Sequence, residues 1–163
     1  GAAGLKRELG EQGYAAFRER LRDYLQQSLA ESNALLWIES ESSGLFLIPP
    51  SRKKAQAAVE ACLRGLLNAP IIGYEKLGMG IPISLVFALH FGSSAFEAPG
   101  KTGTIVSEDV NFIFHLGMKT GSEGTILVSQ EGAASIPPSL ADLFVPQASF
   151  EGHRILGSRR FLD

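Results

Sequence analysis

The sequence predicts an α+β fold, a sandwich of a mainly antiparallel sheet with its helices largely on one face. Segments with apolar side chains at steps of three and four residues, typical of amphipathic helices, alternate with short apolar runs bounded by glycine, proline and serine, typical of strands. With 163 residues, of which 45% are hydrophobic, the chain can bury one sizeable core. We therefore expect a single domain over residues 1–163.

The amino-acid composition limits which kinds of partner the protein is expected to bind and in which cellular compartment it is expected to occur. Fifteen Lys and Arg residues against seventeen Asp and Glu residues give a net charge of -2, without the basic excess typical of nucleic-acid-binding surfaces. The single Cys62 excludes an internal disulfide and a Cys-rich zinc site, and it lies in an apolar helical pattern. No apolar run approaches the roughly 20 residues that span a bilayer, and the N-terminal residues lack a signal-peptide core. We expect a cytoplasmic protein with no nucleic-acid partner and no membrane segment in this chain.

The first third of the chain predicts a helix followed by a hairpin. The helix covers Glu11 to Leu29, where the apolar stripe is formed by Tyr14, Phe17, Leu21, Tyr24, Leu25 and Leu29. The apolar runs ALLWIE and GLFLIPP then flank Ser40 to Ser43, a pattern that predicts two strands joined by a tight turn. Gly44 is free to take a positive φ at or just after this turn.

The middle of the chain predicts a helix and a buried strand. Ser51 is the predicted N-cap, and the buried stripe of the helix is Ala55, Ala58, Val59, Cys62, Leu63, Leu66 and Leu67. This helix should lie across the hairpin, and the glycines and proline within residues 68–80 predict an irregular connection after it. The nearly continuous apolar run from Pro82 to Gly92 predicts a strand buried on both faces. It contains His90, for which a hydrogen-bonded core position is favoured over a ligand role.

The last third predicts a loop, a helix, a strand and a closing hairpin. Ser93 to Gly103 is the loop, and the helix begins near Ser107 with two carboxylates in its first turn. Its inward side chains are predicted to be Val110, Ile113, Phe114 and Gly117. A strand follows at Thr125 to Ser129, and after a helical turn and a loop the runs FEGHRILG and SRRFLD are expected to pair.

Two motifs in the chain do not carry their usual chemistry. Residues 95–102, AFEAPGKT, match a permissive phosphate-loop pattern, but such a loop requires a helix directly after the Thr. The following Gly103 to Val106 are poor helix formers, so we interpret the match as coincidental. The three histidines, at 90, 115 and 153, show no paired ligand spacing, and no metal site is predicted from them.

Four segments together resemble the catalytic domain of the class III nucleotidyl cyclases, the adenylate and guanylate cyclases. They are LKRELGEQGYAAFRERLRDYLQ, similar to the first helical region of that family; WIESESSGLFLIPPSRKKAQAAVEAC, similar to its substrate-reading strand, Gly-Asp hairpin turn and next helix; ISLVFALHFG, similar to its strand with an Ile/Leu-His-x-Gly pattern; and SEDVNFIFHL, similar to its helix with the pattern Val-Asn-x-x-x-Arg-Leu. They follow the order and spacing of the family, and the arrangement as a whole resembles it over nearly the whole chain.

The resemblance implies a ferredoxin-like α/β sandwich that works as a head-to-tail dimer, a homodimer or a heterodimer with a second cyclase-type domain. In that family a ribose 3'-hydroxyl attacks the α-phosphate of ATP or GTP, assisted by two Mg²⁺ ions that two Asp residues hold. The first strand of the family and its metal Asp would precede Gly1. The second metal Asp would align with Ser43, whose hydroxyl lacks the carboxylate charge.

The same alignment assigns the remaining site residues. Asn111 lies at the position of the ribose-orienting Asn, and His115 replaces the Arg that stabilises the transferred phosphate. His is shorter than Arg and lacks its bidentate fork, and the loss of such a clamp commonly costs on the order of 10²-fold in rate. Glu39 aligns with the purine-reading position, where a carboxylate resembles guanylate cyclases, and Thr104 aligns with its partner. Glu39 is alternatively an exposed strand residue without a ligand.

Three functional hypotheses follow. The first is a degenerate cyclase-like domain, catalytically inactive and retained as a dimerisation or regulatory module in signalling, which needs no cofactor. The second is an active half of a heterodimer that supplies Glu39 and Asn111 while its partner supplies both metal Asp residues, with Mg²⁺ as cofactor and GTP or ATP as substrate. The third is a binding module of the same fold that holds another small ligand.

Overall fold

The structure is a computed structural model that describes residues 2–75, 83–92, 108–121 and 124–160. Its elements are α1 (Ala2–Ser28), a 3₁₀ turn (Ala30–Ser32), β1 (Leu35–Glu39), β2 (Gly44–Leu47), α2 (Arg52–Glu75), β3 (Val86–Leu89), α3 (Glu108–Lys119), β4 (Thr125–Ser129), two 3₁₀ segments (Gln130–Ser135 and Pro138–Leu143), β5 (Phe144–Phe150) and β6 (His153–Ser158). Within these ranges no helix combines the length and the apolar character that a membrane crossing requires.

The strands form two sheets, and most pairs are antiparallel. β1 and β2 make a two-stranded hairpin in which Leu35 pairs with Leu47 and Glu39 with Gly44. The second sheet has the order β3-β4-β6-β5, with β3 and β4 parallel and the other pairs antiparallel. The predicted α+β class and the first hairpin are therefore confirmed.

The turn of the first hairpin closes without a left-handed glycine. Among the described residues, positive φ angles occur at Gly10, Asn33, Gly124, Glu151 and Gly152. The expectation of a positive φ at Gly44 is therefore wrong. The turn is closed instead by the Ser40 N-H, which donates to the Ser43 carbonyl at 2.9 Å, so that Gly44 enters the strand with ordinary extended geometry.

The first helix has two parts separated at Gly10. This residue has φ 70° and ψ 175°, which interrupts the helix between Ala2 and Ser28. The predicted start at Glu11 therefore matches the second part, which carries the buried Tyr14 and Phe17. These two rings pack against Ala69 of α2 and against Ile83, just before β3.

Helix α2 begins as predicted but extends further. The Lys54 N-H donates to Ser51 Oγ at 3.3 Å, which confirms Ser51 as the cap. The helix continues through Pro70 to Glu75, so the prediction of an irregular connection is wrong for residues 68–75, while residues 76–80 lie outside the described ranges. Ala69 is fully buried against α1, and this packing explains why the helix persists beside a proline.

The buried stripe of α2 contacts both sheets. Ala58 and Ala61 pack with Phe46 and Ile48 at the first hairpin, which confirms that the helix lies across it. One turn later, Cys62 and Leu66 pack against Ile126 and Val128 of β4 and Phe87 of β3. Leu67 was predicted to be buried, but it is 52% exposed, because it lies about 100° around the helix from Leu66. Burial raises the pKa of the Cys62 thiol to about 12, as expected for a core cysteine.

Strand β3 is shorter and less buried than predicted. The apolar run from Pro82 to Gly92 was expected to form a strand buried on both faces, but β3 covers only Val86–Leu89 and each of its residues is half-buried. Pro82 itself lies outside the described residues. β3 is at the edge of its sheet, so the fully buried position belongs to β4, whose five residues are all buried.

The closing hairpin is displaced toward the N-terminus relative to the prediction. β5 and β6 pair, with Phe150 opposite His153 and Glu151 and Gly152 as the two-residue turn. The run FEGHRILG therefore contains the turn and β6, and the predicted pairing of FEGHRILG with SRRFLD is wrong. Glu151 and Gly152 have φ angles of 48° and 80°, the combination of positive values found in tight hairpin turns.

Candidate functional site

Helix α3 presents both residues of the candidate catalytic pair on its exposed face. Glu108 and Asp109 lie in its first turn and Lys119 in its last, in agreement with the helix dipole. Asn111 and His115 are four residues apart and both are exposed, so they share one side of the helix. The structure therefore brings these two predicted residues together.

The inward face of α3 differs in part from the prediction. Val110 is buried as expected, but the other fully buried side chains are Phe112 and Leu116. Ile113, Phe114 and Gly117, which were predicted to point inward, are only half-buried. Phe112 and Leu116 pack against Leu127 of β4 and Ile155 of β6, so the helix is rotated relative to the prediction and rests on the four-stranded sheet.

His115 already has a protein partner. Its Nδ1 lies 2.9 Å from Oε1 of Glu151, at the turn between β5 and β6. The two side chains are 47% and 41% exposed, so solvent reaches the pair. Because the partner is a carboxylate, its charge opposes the approach of any phosphate to His115.

His90 lies directly after β3 and hydrogen-bonds to two side chains, the buried Ser129 and the 35% exposed Asp109. Its Nδ1 is 2.7 Å from Ser129 Oγ, its Nε2 is 2.7 Å from Asp109 Oδ1, and its side chain is only 4% exposed. The Gly132 N-H donates to Ser129 Oγ at 3.3 Å, which leaves the hydroxyl free to donate to Nδ1 and the Nε2-H to donate to the carboxylate. The interpretation of His90 as a hydrogen-bonded core residue is confirmed.

Gly92 is required for the hydrogen bond between His90 and Asp109. A Cβ at Gly92 would meet the carboxyl group and Cβ of Asp109, so any larger residue would displace that side chain from His90. The backbone after β3 therefore provides both the imidazole and the space for its carboxylate partner. This gives a local physical reason for the His-x-Gly pattern at residues 90–92.

Ser129, His90 and Asp109 have the residue types of a nucleophilic triad. Unlike the serine of such a triad, however, Ser129 is not accessible. Ser129 is fully buried, and its hydroxyl accepts a backbone N-H at the start of a 3₁₀ segment. A nucleophile has to reach a substrate carbonyl or phosphate, which a fully enclosed hydroxyl does not. We interpret the hydrogen bonds between Ser129, His90 and Asp109 as structural, because they connect the N-terminus of α3 to the ends of β3 and β4.

A second pair of a histidine and a carboxylate, His153 and Glu131, lies beside His90. His153 Nδ1 is 2.6 Å from Glu131 Oε1, and the rings of His90 and His153 both contact Phe112, at 4.7 Å and 4.2 Å between centroids. A backbone hydrogen bond and then the hydrogen bond to His153 lower the pKa of Glu131. A lowered carboxyl pKa stabilises the folded state above the unfolded-state pKa, and this contribution is lost as the pH falls through the folded-state value.

The candidate purine-binding residue Glu39 forms ion pairs with two arginines of helix α1. Arg18 Nη2 lies 3.4 Å from Glu39 Oε1 and Arg22 Nη1 lies 3.3 Å from Glu39 Oε2. Arg18 also donates to the Ser40 carbonyl at 2.6 Å. An open cavity of about 310 Å³ is lined by Ala15, Arg18, Glu19, Arg22 and Glu39. Glu39 is thus an exposed residue at the end of β1 whose carboxylate belongs to a charged cluster with Arg18 and Arg22.

The hairpin turn does not fit a Mg²⁺ site. Ser43, at the position of the family's metal Asp, has its Oγ 2.6 Å from Ser40 Oγ, and a hydroxyl contributes no negative charge. The carboxylate within the turn belongs to Glu41, whose Oε1 lies 3.6 Å from Lys6 Nζ. In the part of the chain that the structure describes, no three His, Cys, Asp or Glu side chains are grouped to hold a metal ion.

The predicted site residues divide between two places. Glu39 and Ser43 are on the first hairpin, where their contacts are to α1 and within the turn. Asn111 and His115 are on α3, and His115 contacts the second hairpin. Thr104 and the phosphate-loop-like residues 95–102 lie outside the described residues.

The comparisons with known proteins give no family. No protein-family model and no curated protein matches this chain.

The sequence alone did not identify the residues that surround α3. Ser129 and Asp109 are 39 and 19 residues from His90, and Glu151 is 36 residues from His115. The available signals were a serine at the end of a predicted strand, an acidic first turn of the helix, and a histidine at the end of an apolar run. None of them specifies a pair without the tertiary structure.

Proposed function

We propose that this chain is a degenerate domain of the nucleotidyl cyclase type, catalytically inactive, that serves as a dimerisation or regulatory module in signalling. The observation that carries the proposal is the contact of His115 with Glu151 at 2.9 Å. A residue that stabilises the transferred phosphate must offer it positive charge. Here the imidazole at that position faces a carboxylate of its own chain, which cancels its charge whenever it is protonated.

Two further contacts support the inactive state. Glu39 is engaged by two guanidinium groups, so a purine would have to compete with Arg18 and Arg22 for the carboxylate. Ser43 is hydrogen-bonded to Ser40 and supplies no charge for a metal ion. Glu39, Ser43 and His115, which align with base-reading, metal-binding and phosphate-stabilising positions, are therefore each occupied by partners within the protein.

The test is a cyclase assay on the purified chain. With ATP or GTP and either Mg²⁺ or Mn²⁺, we expect neither cyclic nucleotide nor pyrophosphate above the protein-free blank. Turnover that Asn111→Ala abolishes would overturn the proposal. The dimerisation part is checked separately by sedimentation velocity over a range of protein concentrations, where a monomer at every concentration would argue against it.

The exposure of Asn111 favours a second candidate function, an active half of a heterodimer. Asn111 is exposed on α3, so its side-chain amide is accessible to the ribose of a nucleotide bound between two chains. In this arrangement the partner supplies both metal carboxylates, and this chain supplies Asn111 and Glu39. Titration of the chain with a metal-competent cyclase domain should then produce activity with GTP, and no activity at any ratio would refute this candidate.

A thermal-shift screen separates both candidates from a binding module for another ligand. A ligand present at 100 times its dissociation constant stabilises the folded state by about 2.7 kcal/mol. A shift with GTP or ATP supports a retained nucleotide cleft, whereas a shift with an unrelated small molecule indicates the third class.

A further inference from the structure

We propose that Glu151 and His115 form a proton-strengthened latch that holds the tip of the β5–β6 hairpin to helix α3. The inference rests on the backbone conformation of Glu151 and on its side-chain contact. It does not depend on the proposed function, since both observations hold whether or not the chain binds a nucleotide.

The backbone of Glu151 is in a region that its side chain disfavours. Its φ of 48° is left-handed, and it is the first of two residues in a tight hairpin turn. Turns of this kind strongly favour Asn-Gly or Asp-Gly, because only glycine and short polar residues adopt positive φ readily. Among the described non-glycine residues, the other one with positive φ is Asn33, a residue type common there.

The contact supplies a reason for a glutamate at this position. The carboxylate reaches across 36 residues of sequence to His115 on α3, at 2.9 Å from Nδ1. A shorter Asn or Asp would relieve the backbone but would not extend as far. An unfavourable backbone conformation that places a side chain on a specific partner is the pattern expected when the contact itself has a role.

The chemistry of the pair makes the latch depend on pH. Imidazoles titrate between about pH 5 and 8, and a protonated imidazole binds a carboxylate about twice as strongly as a neutral donor does. The latch is therefore strongest when the imidazole is protonated and the carboxylate is ionised. Because both side chains are nearly half exposed, protons exchange freely with solvent.

Five other charged or titratable groups lie on the same elements. They are Glu108, Asp109 and Lys119 on α3 and His153 and Arg154 on β6. Asp109 contacts His90 and His153 contacts Glu131, so these two have partners of their own. Lys119 lies about one turn beyond His115, in the last turn of α3.

The consequence is a pH-dependent restraint on the tip of the second hairpin. The five central residues of β5 are exposed, whereas Phe144 and Phe150 at its ends pack against the core, with the Phe150 ring 6.2 Å from that of Phe112. A tighter latch restrains the turn against the α3 face that carries Asn111. Mild acid should therefore rigidify this region without changing the fold.

A double-mutant cycle tests the latch. The variants His115→Gln, Glu151→Gln and their combination are compared with the parent chain by urea unfolding at about pH 7.5 and about pH 5.5. We expect the coupling between the two positions to change the unfolding equilibrium constant about two- to five-fold at the lower pH and less at the higher pH. Equal coupling at both pH values, or none at the lower one, would overturn the proposal.

Two controls make the result specific. Glu131→Gln removes the carboxylate of the neighbouring His153 pair and should leave the coupling between positions 115 and 151 unchanged. Glu151→Asn relieves the backbone but shortens the side chain, so it should be more stable than Glu151→Gln while losing the pH-dependent coupling. If Asn is not more stable than Gln at this position, the strain argument is wrong.

Discussion

At the scale of single residues, buried hydroxyls and imidazoles determine how α3 is held. Ser129 Oγ accepts a hydrogen bond from the Gly132 N-H and contacts His90 Nδ1. The other ring nitrogen of His90 contacts Asp109. The polar side-chain atoms of the buried His90 and Ser129 therefore all have partners, while Asp109 at the end of the network is 35% exposed. The arrangement is costly to break, because the groups left behind stay enclosed without water.

Ser129→Ala tests this point. The substitution leaves His90 Nδ1 and the Gly132 N-H without their partner in a buried site, so we expect a loss of about 1–3 kcal/mol in the free energy of unfolding. Ser43→Ala is the matched control, because its hydroxyl bond to Ser40 is exposed and should be worth less than about 0.5 kcal/mol. Chemical denaturation measures both, and equal effects would contradict the structural role of the Ser129 hydrogen bonds.

At the scale of elements, packing overrides local preference in α2. Proline in a helix interior removes a hydrogen bond and its ring clashes with the carbonyl four residues earlier. The helix nevertheless continues past Pro70 to Glu75, with Ala69 enclosed beside Tyr14 and Phe17. The contact with α1 therefore compensates for an unfavourable residue.

Pro70→Ala should stabilise the helix. The change restores a donor and removes the ring from the helix interior, so we expect a gain of about 1–3 kcal/mol in the free energy of unfolding. Pro138→Ala serves as control, because that proline begins a 3₁₀ segment where its fixed φ is compatible. Thermal unfolding followed by circular dichroism measures both, and a loss of stability for Pro70→Ala would show that the proline is needed for packing.

At the scale of the whole molecule, α2 joins two sheets that do not pair with each other among the described residues. Its stripe contacts Phe46 of the first hairpin through Ala58 and Ala61, and the four-stranded sheet through Leu66. Both sheets therefore pack against the buried face of the same helix. This predicts that they unfold together.

Leu66→Ala tests that cooperativity. Leu66 is fully buried, so the cavity should cost about 2–5 kcal/mol, whereas Leu67→Ala at the exposed neighbouring position should cost little. Trp37 is buried in the first hairpin and reports on the other sheet. Its fluorescence and the far-ultraviolet circular dichroism should shift by the same amount in Leu66→Ala, and two separate transitions would contradict a common core.

The sequence by itself determined the elements whose signals are local. The helix after Ser51, the serine turn between β1 and β2, the acidic first turn of α3 and the strand at Thr125–Ser129 each rely on neighbouring residues. Each of these elements is present, although Leu67 of the predicted stripe is exposed and Gly44 lacks the expected positive φ. The helix through Pro70, the short edge strand β3 and the turn at Glu151 depended on packing and strand pairing, which periodicity does not encode.

The candidate site divides in the same way. Asn111 and His115 lie on one helix, so their spacing alone placed them on one face. Their surroundings were decided only by the tertiary structure: Glu151 reaches His115 from a turn 36 residues away, and Arg18 and Arg22 reach Glu39 from α1. The physical reason is that residue type and periodicity fix what a side chain can do and which face it occupies, whereas its partner depends on how distant segments pack.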